Sequence, residues 1–216
     1  FLQKLCRKIF FAEHGLHIGA VAWGRDFENT PFFGEGNGLK AICQFYKHVD
    51  LRSQFLDGFT FDASTSIWWK EKDAKAKQEL LGDDDTTPLL SIEGVMEHFF
   101  AWIKGLSEDL SADNIYLWSQ GTDFDIAILR HICHRYNKQI PVRYTKFRDH
   151  RTFFLEGARL LSRGGRDEIR YSDFAEDFDD GENIVHSPLY DCKRSIYSTW
   201  QMMKQLKQCV KEKVAE

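Results

Sequence analysis

The chain has 216 residues, 43% of them hydrophobic, 29% charged and 14% aromatic, with a net charge of −4. That length suits one domain with a sizeable core, residues 1–216 throughout, and the charged share excludes wholesale disorder. The acidic balance excludes a protein that coats nucleic acid nonspecifically, because neutralising phosphates needs a basic excess, yet it allows a small enzyme that grips a strand end.

No apolar run approaches the roughly 20 residues that span a bilayer, so the sequence predicts no membrane partner. The five cysteines (Cys6, Cys43, Cys133, Cys192 and Cys209) are odd in number, widely spaced and free of any C-x-x-C pair. They predict reduced thiols and an intracellular, cytoplasmic setting rather than a disulfide framework or zinc ribbon. With Phe1 at its head, the chain says nothing about a targeting segment.

Residues 1–13 read as helix or as helix then strand, with Leu2, Leu5, Ile9 and Phe10 at helical spacing. Residues 17–23 form a short apolar run that reads as a buried strand. Residues 32–38, rich in glycine, read as a loop or hairpin turn, and 59–62 as another strand. Residues 64–81 read as a helix with Ser/Thr caps and the pair Trp68-Trp69 at its apolar end. After a loop at 82–88, Ile92, Val95, Met96, Phe99, Phe100 and Ile103 recur at the helical period and predict an amphipathic helix ending near Gly105.

Residues 115–118 read as a strand, and 124–136 as a helix with Ile128, Leu129, Ile132 and Cys133 inward. A basic stretch, 138–170, holds nine Lys/Arg, and an acidic one, 173–182, holds six Asp/Glu. From Leu189, the residues Cys192, Ile196, Trp200, Met203 and Leu206 mark a long closing helix. Early strands followed by alternating helices predict a three-layer α/β or α+β domain with no dividing linker.

Two segments can carry chemistry. In Trp118-Ser-Gln-Gly121-Thr-Asp-Phe124-Asp125 a strand ends, a glycine turns the chain, and Asp125 enters the first turn of a helix. Acids at that position also cap free N–H groups, a task for which Asp123 is the better placed. In His186-Ser-Pro-Leu-Tyr-Asp191 a histidine and a carboxylate flank a helix start that Pro188 suits. Alone, each reads as helix-end chemistry; together, the oxygen donors suit a hard divalent cation and the histidine suits a base for water.

The order Trp-x-x-Gly-x-x-Phe-Asp-x-x-Ile-Leu, then Arg148-Asp149-His-Arg151-Thr152, then His-x-x-Leu-x-Asp resembles the DEDDh 3′–5′ exonucleases of the ribonuclease H-like superfamily. Ile18-Gly-Ala-Val21 and Ser66-Ile-Trp68-Trp69 add to the likeness. Within that family it is most similar to phage and prophage exodeoxyribonucleases and bacterial exoribonucleases. The resemblance implies a ribonuclease H-like three-layer fold, with a mixed central sheet flanked by helices.

It also implies metal ligation by Asp125 and Asp191, a general base in His186, and two Mg²⁺ or Mn²⁺ ions ~3.5–4 Å apart. Asp149 falls in a segment typical of this branch and is not assigned as a ligand. The implied reaction releases nucleoside monophosphates from the 3′ end of single-stranded DNA or RNA.

The first motif departs from the family. The family carries Asp-x-Glu on the first strand, whereas this chain has no Asp before Asp26. Aligning Phe11-Ala-Glu13 keeps the glutamate as a metal ligand and puts phenylalanine where the ion-bridging aspartate belongs, which makes residues 8–23 atypical. Two functions follow: an exonuclease, or a catalytically inactive module of the same fold binding nucleic acid or a protein.

Trp68 and Trp69 could stack on a terminal base or serve as half core and half interface. The basic run, with Arg148 and Arg151, could follow a strand's backbone or form a solvated face. The acidic run before His186 reads as a lid or as a solvated loop. The other histidines read as structural, and exposed aromatics would suit a homodimer.

Overall fold

Strand β2 (His17–Gly24) is apolar from Ile18 to Trp23, where both of its faces are covered. Ile18, Ala20 and Ala22 point into one core, while Val21 and Trp23 point into another. Such a strand carries no polar alternation and reads as a continuous apolar run. The structure, a computed structural model, describes residues 7–13, 17–24, 30–32, 43–60, 64, 67, 70–72, 74–81, 88–109, 115–161, 171–181 and 183–215.

Around β2 the described residues form a mixed five-stranded sheet in the order β3-β2-β1-β4-β5. Strand β1 (Arg7–Glu13) pairs antiparallel with β2, and β3 (Gln44–His48) pairs antiparallel on its other side. Strand β4 (Ile115–Ser119) runs parallel to β1, and the short β5 (Phe147–Asp149) runs parallel to β4. Ile9 and Phe10 are therefore strand residues, which overturns the helical reading of that spacing and bears out a strand only from Arg7 onward. Phe59 and Thr60 form no strand, and 61–63 lie outside the described residues.

One face of the sheet is covered by helix α3 (Ile92–Asp109), which buries Ile92, Val95, Met96, Phe99, Ile103 and Leu106. Ser91 starts it, its Oγ accepting the Gly94 N–H at 3.2 Å, and it runs one turn past the expected stop at Gly105. Helix α4 (Ala127–Arg135) adds Leu129, Ile132 and Cys133 to the same core. Each such side chain contributes roughly 1.5–3 kcal/mol when fully buried.

The opposite face is covered by helix α6 (Pro188–Ala215), whose Cys192, Ile196, Trp200 and Met203 pack on Val21, Trp23 and Trp118. Helix α5 (His150–Leu161) lies against α6, with Phe154 and Ala158 beside Met202 and Phe174. Gly157 permits that approach: a Cβ there would come within 2.6 Å of Met202 Sδ. Helix, sheet and helix stack as the three layers expected.

Helix α1 (Leu51–Leu56) is started by Asp50, whose side chain accepts the Arg52 N–H. Residues 64–81 do not form one helix, since the backbone turns at Glu71 and Lys72 before helix α2 (Ala74–Leu81) begins. Trp68, Trp69 and most of the 32–38 loop lie outside the described residues, although Phe32 bridges Trp23. Among the described residues no helix is long and apolar enough to cross a membrane. Among the described residues, Cys43, Cys133, Cys192 and Cys209 form no disulfide.

Candidate active site

Strand β4 stops at Ser119, and the chain re-enters helix through a π-helical turn, Thr122–Ile126, that runs straight into α4. Phe124 and Asp125 both donate their N–H groups to Gly121 O, at 3.1 and 3.0 Å. The wider turn carries Asp125 inward, where it is only 5% exposed, and leaves Phe124 60% exposed. Asp125 Oδ2 accepts the Gln120 N–H at 3.1 Å.

The cap predicted for Asp123 is made by another residue. Asp123 is exposed and makes no cap bond at the start of the turn. Asp149 Oδ2 instead accepts the Thr122 N–H at 2.7 Å, while its Oδ1 accepts the Thr152 N–H at 2.8 Å. One carboxylate thus satisfies the opening N–H groups of both the π-turn and α5. Partial burial pushes its carboxyl up, and the hydrogen bonds from Thr152 and Thr122 more than offset this, holding it below the usual carboxylate range. Both oxygens of Asp149 face backbone donors, in keeping with its reading as no ligand.

Asp191 sits in the first turn of α6, its N–H donated to Ser187 O at 2.9 Å. This end of α6 presses on β2 at Gly19, where any Cβ would lie 2.5 Å from Pro188 Cβ. Cys192 Sγ reaches Gly19 O at 3.7 Å. His186, half-buried, precedes the helix with φ +72°, in the left-handed region that only a minority of non-glycine residues enter. Such a backbone carries strain of order 1–3 kcal/mol and persists only where its surroundings hold it.

The acidic segment before His186 is fastened to α6 at two points, while Asp173, Glu176, Asp177 and Asp179 stay exposed. Asp180 pairs with Lys193 at 3.1 Å, the two side chains 8% and 17% exposed. Tyr197 donates its hydroxyl to Asp177 at 2.9 Å. The Phe178 ring packs against Phe32, Tyr190 and Tyr197.

Asp191 and Cys192 are adjacent at the start of α6. Burial pushes that thiol well above its usual value, and the charges of Asp191 and Asp125 push it further, so one sulfur feels both carboxylates. A direct tie joins the two elements, since Gln120 Nε2 donates to Ser195 Oγ at 2.7 Å, one turn of α6 beyond Asp191. In register, Phe11 stands beside Ser119 and opposite Ala20, and Glu13 stands opposite Ile18 at the end of β1. β1 therefore ends at the same end of the sheet from which the π-turn departs.

Among the described residues no group of three or more His, Cys, Asp or Glu side chains is gathered tightly enough to hold an ion by itself. Asp125 and Asp191 supply oxygen donors of the kind a hard divalent cation takes.

Of the two arginines, Arg151 has its guanidinium 3.8 Å from where a Gly121 Cβ would lie, at the mouth of the turn. Arg148 is held on its own loop, donating to Thr145 O and Phe147 O and lying over the Tyr116 ring. His150 is a core residue whose burial pushes it down to about 4, so it stays neutral. Sequence reasoning missed Gln120 and Ser195, which no periodicity marks, and the capping role of Asp149, which depends on a partner far along the chain.

The fold is that of the DEDDh exonucleases. It is similar to the nuclease domain of 3′hExo, a DEDDh family member solved bound to rAMP, with a TM-score of 0.54 and 11% identity over 94% of each chain. It is also similar to cell-death related nuclease 4 (CRN-4), with a TM-score of 0.58 and 14% identity over 93% of this chain and 64% of that one. No curated protein gives a significant sequence match. The chain belongs to the 3′–5′ exoribonuclease Rv2179c-like domain family, whose profile matches residues 17–196.

Proposed function

We propose that this chain, as one domain over residues 1–216, hydrolyses phosphodiester bonds at the 3′ ends of single-stranded DNA or RNA and releases nucleoside monophosphates. The observation that supports this reading is the link through Gln120, whose N–H donates to Asp125 Oδ2 and whose side chain donates to Ser195 Oγ one turn after Asp191. Asp125, Asp191 and Glu13 would hold Mg²⁺ or Mn²⁺, which when bound acidifies the attacking water and stabilises the leaving oxygen. His186, poised at the start of α6, takes the proton from that water. Arg151 and the exposed Phe124 flank the turn and supply charge and a ring to the incoming strand. Trp68 and Trp69 are the further stacking candidates. Reduced thiols fit an intracellular enzyme.

A second reading, an inactive module that binds nucleic acid or a protein, draws on Phe11, whose register position beside Ser119 brings no oxygen to the strand end. Release of mononucleotides from a 3′-labelled single strand, with Mg²⁺ and then Mn²⁺, tests the choice. Metal-dependent release lost in Asp125→Ala supports the exonuclease. Retention of the strand without release supports the module.

A further inference from the structure

We infer that Gln120 is a positioning residue that locks the Asp125 turn onto α6 and so sets the spacing of Asp125 and Asp191, an inference that rests on the exonuclease reading above. Gln120 touches both halves of the site. Its backbone N–H donates to Asp125 Oδ2 at 3.1 Å, and its side-chain Nε2 donates to Ser195 Oγ at 2.7 Å. Ser195 is 4% exposed and stands one turn after Asp191, on the same face of α6. The Ser195 carbonyl accepts the hydroxyls of Thr199 at 2.7 Å and Ser198 at 3.1 Å, so the helix is firmly bonded where the amide grips it.

Apolar packing by itself resists sliding poorly because it is non-directional. A hydrogen bond to a buried hydroxyl fixes both distance and direction, and its loss leaves a buried group unsatisfied. Phosphodiester hydrolysis is sensitive to such placement, since an error of about 1 Å can cost about 10²-fold. Gln120 reaches no candidate reacting atom and acts through Asp125 and α6.

The test compares Gln120→Ala, Ser195→Ala and the double variant with the full chain. Amide hydrogen exchange needs no turnover: each single variant should speed exchange in both 120–126 and 188–195, and the double variant should match the singles. If each substitution loosens only its own segment, or the two effects multiply, the clamp is overturned.

On a 3′-labelled oligonucleotide with Mn²⁺, each variant should lower kcat about threefold to tenfold with KM little changed, non-additively in the double variant. An effect confined to KM also overturns the inference. Absence of turnover in the unmodified chain sinks the exonuclease reading instead, and hydrogen exchange then decides the clamp by itself.

Discussion

Asp149 Oδ2 receives the Thr122 N–H at 2.7 Å across the gap between β5 and the turn after β4, and Thr122 also offers its Oγ1 to the same oxygen at 3.3 Å. Since Asp149 Oδ1 caps α5 as well, this carboxylate ties the element carrying Asp125 to the helix behind it. Asp149→Ala should therefore destabilise the fold by about 1–3 kcal/mol, in line with the loss of two caps, and lower turnover through the displaced turn. Chemical denaturation and single-turnover rates check both effects.

The same carboxylate predicts an acid limb in stability. Its folded pKa is depressed, so its contribution is complete above the unfolded value of about 3.9 and is lost as pH falls through the folded value. Asp149→Asn should flatten that part of the curve and leave neutral pH with a constant deficit. Thermal melts between neutrality and strong acid read this directly.

At the proposed catalytic positions, Asp125→Ala and Asp191→Ala should each abolish mononucleotide release. His186→Ala should reduce it by about 10²–10⁴-fold and remove from the pH profile the acid-side fall that protonation of a general base produces. A His186 variant with an unchanged profile would show that another group takes the proton.

Gly19 is where α6 rests on β2, with Pro188 Cβ 2.5 Å from the place a Cβ would take. Gly19→Ala should lift the start of α6, cost about 1–3 kcal/mol and weaken activity through Asp191 and His186 together. Differential scanning calorimetry and the release assay should fall in step.

Strands β2 and β4 and helices α3, α4 and α6 are legible in the sequence because each keeps a strong apolar period or run. β3 and β5 are not. They lie at the two edges of the sheet, and residues such as Gln44, Lys47, Arg148 and Asp149 mix polar groups into very short spans. The π-turn is hidden because widening one turn leaves the inward spacing of Leu129, Ile132 and Cys133 unchanged. Helical spacing in 1–13 misled at Ile9 and Phe10 because a strand in the interior of a sheet need not show polar alternation.

The helix-start settings of the candidate residues are legible in the sequence, Asp125 after a strand and a glycine, His186 and Asp191 around Pro188. What holds them is not. Asp149 for Thr122, Gln120 for Ser195, and Asp180 with Phe178 for α6 are contacts between segments whose pairing only the folded chain reveals.

Calorimetric titration with Mn²⁺ of the full chain, Asp125→Ala and Asp191→Ala tests most directly whether these two carboxylates share one ion-binding centre. The account predicts saturable binding that either substitution removes. Binding that survives each substitution undiminished would contradict it.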